Sequence, residues 1–353
     1  MNKVTAIGVA FLLWPFGATE ARAQVGLVSE GPIQLSVTGR LQTQFNTSSV
    51  DGVDALSTFE QRRARVGVDL LVDDWIEGRM EWNFAHGARL EDGWINLALD
   101  PAFQVQVGQF KKPFSRIELV SSSKVVPIEY GLRIRGLDDP ALYSEHYLLL
   151  EENVYLGREI GAQVHGTLGP LGYALGAFNG SDQNTRDDND AKSFAGRLNL
   201  KPFAAPFQIG AAASYRDVAV TDAFGETSTE DGLAVEVDVE WGGFRHPGLN
   251  LLAEVMQAKN FGTDDPMIGG QAILSWFAPL RAGRVEGIEP LLRGSYGDPS
   301  TEFDGNSGTL LTGGLNLYFH GRNRLMVNGD YFMPELDTVD DEYAIRAQLQ
   351  LYF

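Results

Sequence analysis

The chain has 353 residues, with 28 Lys and Arg against 47 Asp and Glu, a formal net charge of −19, 40 glycines and no cysteine. So acidic a surface repels nucleic acid, and a chain without thiols has neither a disulfide framework nor a cysteine metal site. Abundant glycine and short period-2 segments, with no helix-length apolar periodicity after the first two dozen residues, argue for one large all-β unit.

At the N-terminus Lys3 precedes an apolar run from Val4 to Ala18, and Ala21-Arg22-Ala23 follows with small residues where a signal peptidase reads. This predicts a signal peptide over residues 1–23, cleaved after Ala23, with the mature domain at 24–353. The run is shorter than the roughly 20 apolar residues a spanning helix needs. Export without a second apolar helix leaves the periplasm, the exterior or the outer membrane of a Gram-negative bacterium, where proteins span as barrels.

Alternating segments follow. Over 33–45, Ile33, Leu35, Val37, Leu41 and Phe45 oppose Gln34, Ser36, Thr38, Arg40, Gln42 and Gln44. Over 59–72, Ala64, Val66, Val68 and Leu70 oppose Arg63, Arg65 and Asp69, and Asp73-Asp74 makes a tight turn. Over 76–84, Ile76, Met80, Trp82 and Phe84 oppose Glu77, Arg79, Glu81 and Asn83. Segments 90–99 and 103–112 complete the first five strands. Each has one face for lipid and one for water.

Between Lys112 and Arg158 the pattern breaks for some 45 residues, and a connection so long is usually functional. It follows the fifth strand, where porins fold a loop inward, so residues 113–157 are expected to form a constriction. The stretch Lys111 to Arg135 holds Lys111, Lys112, Arg116, Lys124, Arg133 and Arg135 against Glu118 and Glu129. The stretch Asp138 to Glu152 carries Asp138, Asp139, Glu145, Glu151 and Glu152 without a Lys or Arg. Such a loop can present a positive face to a pore and a negative face to a basic wall; alternatively its charges pair among themselves.

Further strands are predicted at 158–168, 171–178, 193–201, 207–216, 232–241, 249–258, 267–277, 287–296, 308–319, 324–332 and 342–353. The total is sixteen, an even number that leaves a lumen too wide for side chains to fill. The short connections are mostly neutral or basic. Those at 179–192, 217–231, 259–265, 297–307 and 333–342 carry most of the acid, whether for solubility or to repel anions at the mouth. Trp82, Trp94, Trp241, Trp276, Tyr296, Phe319 and Tyr331 fall near strand ends and are expected to line the membrane interface. The last strand puts Tyr343, Ile345, Ala347, Leu349, Leu351 and the terminal Phe353 on one side, with Arg346, Gln348 and Gln350 on the other.

Three stretches, Phe59-Glu60-Gln61-Arg62-Arg63-Ala64-Arg65-Val66-Gly67, Val107-Gly108-Gln109-Phe110-Lys111-Lys112-Pro113-Phe114-Ser115 and Gly176-Ala177-Phe178-Asn179-Gly180, together resemble landmarks of the phosphate-selective porin O and P family. The resemblance runs from about residue 33 to the aromatic end. It implies a sixteen-stranded outer-membrane barrel, commonly a homotrimer, whose third loop folds into the lumen and whose basic residues pass anions. It also implies that Arg62 and Arg63 match the family's arginine pair, and that Ser121, Ser122, Ser123, Lys124 and Arg133 match its loop residues loosely.

The wall departs from that pattern. By alternation Arg40, Arg63, Arg65, Arg79, Arg197, Arg293 and Arg346 face the lumen, but so do Asp69, Glu77, Glu81, Glu159, Glu236, Asp238, Glu240, Glu254 and Glu289. Bases gather on the first two strands and acids on the tenth and eleventh, a transverse field as in general porins. The candidate pore and anion-binding residues are Arg40, Arg62, Arg63, Arg65, Lys111, Lys112, Ser121, Ser122, Ser123, Lys124, Arg133 and Arg135. No nucleophile elbow, phosphate loop or zinc motif is present, the five histidines lack metal-ligand spacing, and no cofactor is expected. The expected function is passive diffusion of small hydrophilic solutes, anions such as phosphate preferred, through an outer-membrane pore embedded in lipid. A non-selective porin, a structural or adhesive barrel without transport, and an outer-membrane enzyme remain as alternatives.

Overall fold

Side chains that alternate between oily and wet let neighbouring strands share both faces, and a ladder built this way can bend round until it has no free edge. The computed structural model describes residues 25–50, 53–133, 144–185, 192–203, 205–221, 227–336 and 340–353. The expected signal peptide and Arg135 lie outside the described residues.

A short strand, β1 (Val25–Glu30), pairs antiparallel with β2. The next strands are β2 (Ile33–Val50), β3 (Val53–Val72), β4 (Ile76–Asn83), β5 (Arg89–Asp100) and β6 (Phe103–Lys111). Two short helices, α1 (Arg116–Leu119) and α2 (His146–Glu152), lie in the long connection. After them come β7 (Arg158–Leu168), β8 (Leu171–Phe178), β9 (Ser193–Leu200), β10 (Phe207–Thr221), β11 (Thr227–Trp241) and β12 (Gly248–Lys259). The last are β13 (Pro266–Ala282), β14 (Val285–Asp298), β15 (Gly308–Tyr318), β16 (Arg324–Pro334) and β17 (Glu342–Tyr352). Strands β2 to β17 pair in chain order, and β17 pairs with β2, so sixteen antiparallel strands form a closed barrel.

The predicted strands correspond one to one with these sixteen, but several are longer than expected. The β2–β3 hairpin continues past residue 45 through Thr47-Ser48-Ser49, where Ser57 still donates to Thr47 across the strands. Similarly, β10 and β11 run through most of the expected 217–231 loop. Polar β-branched and small residues keep pairing where the regular apolar half of the alternation has ended.

The two faces differ as the pattern requires. Leu41, Val66, Leu175, Val255, Leu292 and Ile345 are exposed on the outside, while Arg40, Gln42, Arg65, Glu254, Asn316 and Asp330 are buried. Trp94 is a correction to the expected aromatic girdle. It stands opposite Arg79 on the inner face and packs against buried Phe110, Phe178 and Ala195. Trp94 shares the parity of inward Asp92 and Asn96, so alternation itself carries the ring inside.

Candidate channel constriction

Local chemistry starts the long connection. The Ser115 side chain caps α1 by accepting from the Glu118 amide, and Glu145 caps α2 by accepting from Tyr147 and Leu148. Around them Phe114, Ile117, Tyr147, Leu149, Leu150 and Tyr155 form an apolar cluster with inner-face Ala212, Ala234, Met256 and Ile273. At two places the wall is bare enough for backbone to lie on it. A Cβ at Gly297 would fall 2.6 Å from the Glu145 Cα, and one at Gly308 would collide with the Ser144 carbonyl.

Polar groups hold both arms of the connection to the wall. Glu254 on β12 accepts from Ser115 Oγ at 3.2 Å and the Ile117 amide at 3.0 Å, and lies 2.7 Å from His146 Nε2. One carboxylate therefore ties the outgoing and returning arms together. Glu236 accepts from the Arg116 amide at 3.0 Å, and Ser295 donates to Glu145 at 2.6 Å. Further along, Arg324 donates to the Val125 carbonyl, Asn316 to that of Val126, and the Ile128 amide donates to Asn328 at 2.6 Å.

The arginines of β2 and β3 meet the same segment. Between Gln42↔Arg63 and Thr43↔Gln61 the ladder skips Arg62, a bulge that turns two successive side chains toward one place. Arg62 Nε lies 2.7 Å from Glu129 Oε1, and Arg63 Nη2 lies 3.2 Å from Glu129 Oε2. Burial would push the Glu129 carboxyl up, but Arg63 and then Arg62 hold it well below the usual carboxylate range. Gln44 donates to Glu129 as well, at 3.0 Å.

The other candidates are dispersed around this pair. Arg40 donates to Ser122 Oγ at 2.9 Å and lies 3.4 Å from Glu81. Arg65 bridges Glu81 at 2.9 Å and Glu91 at 3.0 Å. Lys111 pairs with Glu118 at 3.1 Å and sits over the Tyr130 ring, whereas Lys112 is buried against Glu159 at 2.7 Å. Ser121 and Ser123 share a hydrogen bond of 3.0 Å, and Ser123 also accepts from Arg322. Lys124 is half-buried on the same turn, and exposed Arg133 pairs with Glu151 at 2.7 Å. Arg40, Arg62, Arg63, Arg65 and Ser122 are thus brought into one neighbourhood, while Lys112 and Arg133 stand apart with their own carboxylates. Sequence reasoning missed Glu129 as the hub, Glu254 as the anchor and the Arg62 bulge. The close spacing of Arg62 and Arg63 was the available signal for the bulge, since strict alternation cannot send both inward.

A family model described as phosphate-selective porin O and P matches residues 35–240. Among solved structures, the fold is similar to the anion-selective porin from Comamonas acidovorans, with a TM-score of 0.65 and 13% identity over 91% of this chain and 100% of that one. It is also similar to the outer membrane channel DcaP of Acinetobacter baumannii, with a TM-score of 0.61 and 10% identity over 92% and 99%. The trimer form of in-vitro folded OmpT, an outer membrane protein of Vibrio cholerae, gives 0.58 and 11% over 91% and 100%. No curated protein matches. At such identities the structural likeness carries the fold alone.

Proposed function

Because the chain belongs to the phosphate-selective porin O and P family, we propose that it serves the outer membrane as a passive pore for small hydrophilic solutes, with anions such as phosphate preferred. The observation that carries the anion preference is the charge balance at the bulge, where Arg62 and Arg63 share the single carboxylate of Glu129. In a narrow, partly desolvated passage that surplus lowers the energy of an anion and raises that of a cation. Arg40, Arg65, Lys111, Lys112, Ser121, Ser122, Ser123, Lys124, Arg133 and Arg135 complete the proposed path, with residues 113–157 lying across the lumen as its constriction. Residues 1–23 are the cleaved leader that directs export. Three copies assemble side by side, a reading supported by the trimer form of the Vibrio cholerae relative in fold.

A second reading, a porin without ion preference, draws on the pairing of Arg40 and Arg65 with Glu81, which leaves that stretch of wall nearly neutral. Purified protein in a planar bilayer separates the two. Stepwise conductance is expected, with a reversal potential in a KCl gradient on the chloride side. A reversal potential near zero would favour the unselective porin, and absence of conductance would leave a closed structural or adhesive barrel.

A further inference from the structure

Between the start of the constriction segment, at Pro113 and Arg116, and the inner face of β6 to β10 lies a cavity of about 360 Å³. Three cations line it, Lys111, Arg116 and Arg197, and among its described lining residues there is no carboxylate. Two of these cations are already committed. Lys111 Nζ is taken by the Glu118 carboxylate and by the carbonyls of Glu118 and Val120, and Arg197 bridges Glu236 and Asp238. Arg116 differs, because its Nε and Nη2 both go to Glu240 Oε2, at 2.8 and 2.6 Å, which leaves Nη1 without a described partner.

Beside that guanidinium the lining is amide and imidazole. Asn96 Nδ2 donates to Glu77 at 3.1 Å and to Gln104 Oε1 at 2.9 Å, so its Oδ1 is left to accept from His165 Nε2 at 3.0 Å. Donation from Nε2 leaves Nδ1 as the acceptor of a neutral His165 ring, and Gln104 Nε2 is left as a donor. The amides of Asn199 and Gln208, also on the lining, have no hydrogen-bond partner among the described residues. Together these groups offer donors and acceptors in alternation next to a guanidinium that is paired with Glu240 and keeps Nη1 open.

We infer that this cavity binds hydroxylated organic carboxylates such as sugar acids, with Arg116 on the carboxylate and Gln104, His165, Asn199 and Gln208 on the hydroxyls. A hydroxyl both donates and accepts, so several hydroxyls on one solute satisfy the amides at either end, whereas a hydrogenphosphate dianion has a single proton to give and otherwise only accepts. A neutral sugar matches the amides but gives Arg116 no charge. The inference rests on the protein being a pore, since solute must reach the lumen to bind.

The test is block of single-channel KCl current by gluconate, with glucose and inorganic phosphate as comparison solutes. Gluconate is expected to block at lower concentration than either. The double variant R116Q/E240Q, which keeps the net charge, should weaken gluconate block about tenfold, the loss of one charge-assisted contact, and leave glucose unchanged. Asn199→Leu with Gln208→Leu should weaken gluconate and glucose block alike. Block by phosphate as strong as by gluconate, or gluconate block unchanged in both variants, overturns the assignment while the pore stands. No KCl current from the wild-type protein overturns the pore and this site with it.

Discussion

At the scale of single residues, the bulge at Arg62 decides what the wall can do. Replacing Glu129 with glutamine removes the carboxylate shared by Arg62 and Arg63 and so raises the local positive charge by one. The reversal potential in a KCl gradient is expected to move further toward chloride; a move toward potassium would show that permeating ions do not sense this pair. Acidity supplies a second check. A carboxyl held well below its ordinary value of about 4.3 keeps its charge through that range and loses it only as pH falls through the lower value. The difference in reversal potential between wild type and Glu129→Gln should therefore stay constant from pH 7 to about pH 4. Closure of that difference near pH 5 would place Glu129 away from its arginines. Individual side chains were legible where parity held. Arg40, Arg63 and Arg65 followed strict alternation, whereas Arg62 did not, because it lies in a register shift that no hydrophobic pattern announces.

Elements read more easily than residues. Every strand has the same pair of faces, one apolar and outward and one polar and inward, so the sixteen alternating segments stood out before any pairing was known. The tethers of residues 113–157 were not legible, since Ile128 meets Asn328 and Arg40 meets Ser122 only after the ring has closed. Deleting roughly Leu119 to Tyr143 leaves the wall strands untouched and is expected to raise single-channel conductance; an unchanged value would place that segment away from the ion path. Where Gly297 receives the Glu145 backbone, a valine would push the returning arm off the wall. A cost of about 1–3 kcal/mol is expected from overpacking of this kind. The measurement is faster proteolytic cleavage within 113–157 in Gly297→Val, with the barrel itself intact.

For the molecule as a whole, the seam between β2 and β17 is the decisive contact. Gly39 and Phe353 exchange backbone hydrogen bonds of 2.8 and 3.0 Å, and a Cβ at Gly39 would occupy the place of the Phe353 ring. Removing Tyr352 and Phe353 is expected to abolish the heat-modifiable barrel in cells, and its normal appearance would show that closure does not depend on them. The terminal alternation made this seam readable, because an edge strand with one oily face needs a partner and the matching pattern lies at the other end of the chain. That same join has a kinetic consequence. Folding slows as contacts connect residues more distant in sequence, and this one connects Gly39 with Phe353. Ring closure must therefore wait until β17 has been delivered, and until then the growing ladder keeps two unpaired edges. Those edges are templates for pairing with the wrong chain, so the interval before closure is the period in which this protein is most exposed to aggregation.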